Sequence, residues 1–277
     1  MKPFTYLTTL TGVMAALALT APAQAHRAWI KPSETVLSGE QNYVTFDAAV
    51  SNTLFVPEHV AYNTAAITVT APDGNSVEIE NASKGKYRSV FDVPLKSPGT
   101  YRIASASSGL RAFWRDEEGN RKMWPGRGGA KDGETYENSV PDKAPELLVT
   151  YGSRRTETFV TLGSPSTESL QPSNQGLELV VNTHPNDLYA TEQASFSFLI
   201  DGEPAAGVEI EIVRGSMRYR NASEALTTTT DEKGRFTVTW PEAGMYFVEA
   251  SYSDNKAKAP ATERRGSYSA TFEVLPL

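Results

Sequence analysis

Alternation of apolar and polar positions dominates the chain, in short runs separated by turn residues. Asn42–Val50 (NYVTFDAAV) alternates in part. Ala65–Glu80 (AAITVTAPDGNSVEIE) joins two alternating runs through Pro72-Asp73-Gly74. That triplet predicts a hairpin, because proline presets one turn dihedral and glycine permits the next. Tyr87–Ser105 repeats the theme around Ser97-Pro98-Gly99, with GTYRIAS reading as the last strand of a sandwich sheet. Further runs follow at Glu146–Gly163, Leu177–Gly215, Thr227–Asp254 and Ser267–Leu277. Past residue 25 no stretch shows the 3.6-residue period of an amphipathic helix. The pattern predicts an all-β protein.

Strands recurring about every ten residues with turn signals between them predict β-sandwiches. Gly163–Gly176 (GSPSTESLQPSNQG) interrupts the pattern with a linker-like composition. The reading is therefore two β-sandwich domains of immunoglobulin- or prealbumin-like type, 26–162 and 177–277, joined by the Ser/Pro/Gly-rich linker 163–176. Arg111–Ser139 carries Phe113, Trp114, Met123 and Trp124 among many charges and then a glycine-rich tract. It reads as a long functional loop, a lid or a docking surface, with the alternative that its tryptophans tuck into the core.

The first 25 residues read differently. Lys2, an apolar run from Leu10 to Leu19, Pro22 and Ala23-Gln24-Ala25 form a secretory signal peptide with cleavage after Ala25. The apolar run is too short for a membrane span of about 20 residues, and the mature chain is expected to be exported without membrane insertion. Cleavage leaves 252 residues and moves the formal charge from −7 to −8. An acidic balance argues against a nucleic-acid partner, which wants clustered Lys and Arg. The absence of cysteine removes disulfides and thiolate metal sites and fits a bacterial periplasm. On that reading the Asn-x-Ser triplets at Asn81 and Asn221 are chance.

Cleavage would make His26 the first mature residue. A terminal histidine offers an α-amine, whose proton a metal displaces near neutral pH, and an imidazole. Two nitrogens on one residue suit Cu(II), Ni(II) or Co(II). A second imidazole would complete the "histidine brace" of copper monooxygenases and periplasmic copper carriers. The other histidines are His59, beside Glu58, and His184, in a turn with Pro185, Asn186 and Asp187. Three imidazoles would suffice as nitrogen ligands if they converge, and Glu58, Asp187 or Asp47 could make the site mixed. For each histidine the alternative is a solvated or hydrogen-bonded side chain. Hydrolytic signatures are missing: there is no G-x-S-x-G and no H-E-x-x-H. The glycines of GRGG are no phosphate loop, and Asp116-Glu117-Glu118 reads as a solvated charged turn.

Two resemblances add to this. Asp201–Val208 (DGEPAAGV), Thr230–Phe236 (TDEKGRF) and Gly244-Met245-Tyr246 resemble the prealbumin-like or carboxypeptidase-regulatory-like sandwich modules of exported proteins. In those modules the three stretches are a strand–turn–strand, a tight hairpin and the start of the last buried strand. The whole mature chain, through AHRAWIKPSETVLSGE, NTHPNDLYA and the DGEPAAGV to MYFVEA region, resembles the DUF4198 family, often described as periplasmic components of cobalt or nickel uptake. The resemblance implies transition-metal handling in the periplasm. The leading expectation is a non-enzymatic metal-binding protein with a divalent transition metal (Ni, Co or Cu) on His26, with His184 or His59. Its partner would be a membrane or outer-membrane metal transporter. The alternatives are a brace-type copper redox enzyme or metal-reduction accessory, and a carbohydrate- or protein-binding sandwich without metal.

Overall fold

The computed structural model describes residues 26–126 and 128–277; the leader read over residues 1–25 lies outside them. The first half carries strands β1 (Arg27–Pro32), β2 (Val36–Leu37), β3 (Asn42–Ser51), β4 (Val60–Ala61), β5 (Thr68–Thr70) and β6 (Ser76–Val77). It continues with β7 (Glu80–Lys84), β8 (Ser89–Leu95), β9 (Gly99–Arg115), β10 (Arg121–Trp124) and β11 (Leu148–Leu162). The second half carries β12 (Leu177–Val181), β13 (Gln193–Ile200), β14 (Glu203–Pro204), β15 (Glu209–Arg214) and β16 (Leu226–Thr229). Then come β17 (Arg235–Thr239), β18 (Gly244–Asp254) and β19 (Glu263–Val274). The protein is all-β, as its alternation predicts.

These strands form three sheets. A ten-stranded sheet runs β16-β15-β18-β19-β11-β9-β5-β6, with β10 on β9 and β2 on β11. A five-stranded sheet runs β1-β3-β8-β7 with β4 on β3, and a four-stranded sheet runs β12-β13-β14 with β17 on β13. The large sheet passes through both halves of the chain, because β11 pairs with β9 on one side and in parallel with β19 on the other.

Side chains alternate between the faces of a strand, so register tells which face each core uses. Val160, Leu162, Tyr101 and Ile103 point one way, into the core they share with Ile30, Phe46 and Phe91 of the five-stranded sheet. Phe159, Tyr268, Ala270 and Phe272 point the other way, into the core with Leu179, Phe196 and Phe198 of the four-stranded sheet. The two cores thus occupy opposite faces of one sheet, and Trp29 packs with Val213 and Phe247 in a separate small cluster.

The 163–176 segment joins the halves and is packed as it does so. Ser169 and Leu170 are buried in a short 3-10 turn, Glu168–Leu170. The buried guanidinium of Arg102 donates to Gln171 O at 3.0 Å and that of Arg155 to Ser173 Oγ at 2.7 Å.

Two local readings change in the structure. Residues 111–139 do not form one long loop. β9 runs on to Arg115, an Asp116–Asn120 turn returns as β10, and α1 (Tyr136–Ser139) follows. Trp114, Trp124 and Tyr136 pack with Ala112, Val140 and Val149 in a small core, so the tucked-in alternative describes the tryptophans. The Asp231–Gly234 turn is tight, since Asp231 Oδ1 accepts from Lys233 N and Arg235 N at 2.8 Å each. Yet its flanking strands do not pair: β16 lies in the ten-stranded sheet and β17 in the four-stranded one. Gly234 (φ +72°) is required there, because a Cβ would sit 2.5 Å from Phe198 O.

Candidate functional site

β1 and β4 both run antiparallel to β3 and flank it, β1 on one edge and β4 on the other, beyond the residues β8 occupies. Both enter at the C-terminal end of β3. The residue before β1 is His26 and the residue before β4 is His59. Pairing of Arg27 with Ser51 and of Val60 with Val50 brings the two histidines to the same end of one strand. Their ring centroids are 3.9 Å apart with planes tilted by 33°. Both rings are exposed.

The loop between β3 and β4 holds His59 in place. Glu58 accepts from Asn52 N at 2.9 Å and Thr53 N at 2.6 Å, closing the loop on itself. Val56 N donates to Thr53 O within it. Phe55 has φ +59°, a conformation costing on the order of 1–3 kcal/mol for a non-glycine residue. The cost is offset by burying the ring: Phe55 meets Trp29 edge-on at 5.6 Å, and Trp29 Nε1 donates to Ser51 Oγ at 2.8 Å. The last residue of β3 and the loop after it are thereby tied to the strand that carries His26.

His26 Nδ1 lies 2.6 Å from Asn52 Oδ1. An amide oxygen only accepts, so Nδ1–H donates and the neutral ring keeps its lone pair on Nε2. Arg27, the next residue, pairs with Glu211 and reaches Glu249 at 3.5 Å. Glu211 and Glu249 sit directly opposite each other on β15 and β18, an unfavourable like-charge pair that Arg27 bridges. Burial, with Glu211 adding, pushes the Glu249 carboxyl up, while Arg27 opposes the shift. A groove of about 820 Å³ opens here, its wall including Arg27, Asn52, Met217, Glu211 and Glu249.

His184 is elsewhere. Its Nε2 lies 3.0 Å from Thr100 Oγ1 and 3.2 Å from Ser166 O, and its Nδ1 accepts from Asn186 N at 3.2 Å. Burial holds its pKa below the usual histidine value. Both ring nitrogens are engaged in joining β9, the 163–176 segment and the turn after β12. Thr161, beside Val36 beyond the far end of β1, belongs to the same network. That places His184 on the order of 20 Å from His26, given the rise of a six-residue strand. The three imidazoles therefore do not converge; two do. Of the acids considered, Glu58 closes the loop, Asp47 pairs with Arg88 at 3.2 Å, and Asp187 stays beside His184. Among the described residues no three His, Cys, Asp or Glu side chains are grouped so as to hold a metal. Asn52 and Arg27 were missed by sequence reasoning. Only the β3 pairing register, which no motif encodes, would have found them.

Fold and site together define an all-β protein of two cores on a shared sheet, with an exposed imidazole pair where two strands begin. A family model described as a domain of unknown function (DUF4198) matches residues 23–254, and the chain belongs to that family. No curated protein matches. Among solved structures the chain is similar to the D0-D1 domain of intimin, at 10% identity, 88% coverage of this chain and 96% of that one, and a TM-score of 0.20. A DUF3823 family protein from Bacteroides uniformis shares 11% identity over 79% of this chain and 93% of its own, with a TM-score of 0.25. An α-2-macroglobulin from Escherichia coli shares 13% identity over 91% of this chain and 20% of its own, with a TM-score of 0.24.

Proposed function

We propose that this is an exported, periplasmic protein that binds a divalent transition metal (Ni, Co or Cu) and assists its uptake or trafficking, with His26 and His59 as the ligand pair. The observation that carries the reading is the 3.9 Å apposition of these two rings at the start of β1 and β4. Two lone histidines far apart in sequence have no packing reason to meet in solvent, since exposed imidazoles gain little from stacking. A shared ligand supplies that reason.

Two imidazoles alone make a weak site. Cleavage after Ala25 would add the α-amine of His26, a third nitrogen that is not a side chain. Amine and Nδ1 of one histidine close a six-membered chelate ring, whereas Nε2 cannot reach the amine. Asn52 holds Nδ1–H before the metal arrives; chelation would require the ring to shift its proton to Nε2 and release Asn52, freeing the Nδ1 lone pair for the metal. His184 is left out of the ligand set: its nitrogens are spent on Thr100, Ser166 and Asn186. The partner would be a membrane or outer-membrane metal transporter, which would have to reach an exposed edge.

The test compares protein beginning at His26 with protein keeping Ala25, titrated with Cu(II), Ni(II) and Co(II) by calorimetry. The form beginning at His26 should take up close to one equivalent. Retaining Ala25 should weaken binding by about 100-fold, or ~2.7 kcal/mol. Equal affinity of both forms would remove the amine from the site, and failure of either to bind would remove the metal.

A further inference from the structure

The face of the ten-stranded sheet that carries Val160 and Ile103 continues past the point where β1 stops covering it. Following the register outward, covered residues give way to a floor of small ones: Ser107 on β9, Ser251 and Ser253 on β18, and Ser267 on β19. At its centre Gly109 and Gly152 lie directly opposite each other on β9 and β11. Nothing lies within 4 Å of where a Gly109 Cβ would be, and a Gly152 Cβ would only touch the Arg111 side chain at 3.6 Å. The result is a trough floored by glycine and serine, with a volume of about 660 Å³, inside the range of small-molecule sites.

The charges around the trough are unevenly paired. Arg265 donates to Glu263 at 2.7 Å. Arg111 and Arg154 are exposed and have no carboxylate within 4 Å among the described residues. They stand at opposite ends of the glycine pair, since Arg111 is opposite Thr150 and Arg154 is four residues further along β11. The Cα–Cα gap is thus on the order of 14 Å, and the Arg111 side chain reaches inward over Gly152, which shortens the span between the two guanidinium groups. With Arg265 paired to Glu263, and Glu209 the remaining acid on the wall, the trough lining carries one net positive charge in a chain of formal charge −7. At the rim Phe113 is 38% exposed and lines the trough with Pro125.

We propose that this trough binds a hydroxylated polycarboxylate. Arg111 and Arg154 would hold separate carboxylates in the bidentate geometry that guanidinium favours. The serine floor would meet hydroxyls, and Phe113 would stack against a ring where the ligand has one. Free polyacids and acidic oligosaccharides share this chemistry. The inference stands apart from the metal reading, since none of these residues belongs to the His26–His59 pair.

The experiment is calorimetric titration of the protein beginning at His26, without added metal, with citrate, trigalacturonate and the neutral maltotriose. Binding of citrate or trigalacturonate with a Kd below about 1 mM, and none of maltotriose, is expected. Trigalacturonate binding tighter than citrate would assign the site to acidic sugars, and the reverse to small polyacids. Arg154→Ala should weaken the bound acid at least tenfold, and Gly152→Leu, which fills the floor, should abolish binding while the circular dichroism spectrum is retained. His59→Ala should leave it unchanged. No binding of either acid up to 10 mM, equal binding of maltotriose, or unchanged affinity in the Arg111→Ala/Arg154→Ala double variant would overturn the proposal.

Discussion

Single residues of the same type carry different burdens in this protein, and histidine shows it best. His26 and His59 face solvent and each other, while His184 is a half-buried clasp between the two halves. Burial lowers the His184 pKa in the folded state, so the unfolded chain takes up its proton first. The neutral clasp is therefore fully stabilising above the unfolded value near 6.5 and loses stability as pH falls towards the folded value. Thermal unfolding between pH 8 and pH 5 should show this dependence, and His184→Gln should flatten it while costing about 1 kcal/mol at pH 8. Metal affinity should be untouched by that change. From sequence alone the three histidines were equivalent candidates. What separates them is hydrogen-bond partners 18 to 84 residues away, Ser166 and Thr100 for His184, which no local pattern records.

At the level of strands and turns, alternation and turn chemistry were legible because both are local. The Pro72–Gly74 turn, the strands of the second half and the all-β class follow directly from them. Strand length and partnership were not legible, since a seventeen-residue β9 and its continuation into β10 depend on neighbours far along the chain. The Gly-x-Tyr stretches are a local signal with a clear structural result. Tyr101 Oη donates to Ser97 O at 2.9 Å and Tyr246 Oη to Glu242 O at 2.7 Å, each closing a corner four residues back as a strand begins. Tyr246→Phe should destabilise by about 1 kcal/mol, seen as a lower denaturation midpoint at unchanged slope. The loop after β3 is the element on which the candidate site depends. Glu58→Ala removes the acceptor of the Asn52 and Thr53 amides and should free His59. Metal affinity should fall about tenfold, or ~1.4 kcal/mol, with the global unfolding midpoint nearly unchanged.

Across the whole molecule, one sheet serves two cores, and its face toward the four-stranded sheet is not wholly apolar. Arg102, Arg155, Glu157 and Glu178 are all buried, with Glu157 Oε1 accepting from Tyr268 Oη at 2.7 Å. Glu157 lies 3.8 Å from Arg102 Nε and 3.7 Å from Arg155, and Glu178 lies 3.6 Å from Arg155. Two arginines and two glutamates balance, and the network fastens the 163–176 segment to β11. Glu157→Leu leaves two buried guanidinium groups short of a partner and should cost about 3–5 kcal/mol, measurable by urea denaturation. The linker composition was readable in the sequence, whereas its fastening was not, because Arg155 and Glu157 sit in an alternating strand like any solvated pair.

The central claim, that the ring pair at the start of β1 and β4 is a metal site, is tested most directly by electron paramagnetic resonance. Cu(II) is added at one equivalent to protein beginning at His26, and couplings from the remote nitrogens of coordinated imidazoles are counted. The account predicts two imidazoles on one copper, falling to one in His59→Ala and staying at two in His184→Gln. A spectrum with no imidazole coupling, or one that His59→Ala leaves unchanged, would contradict it.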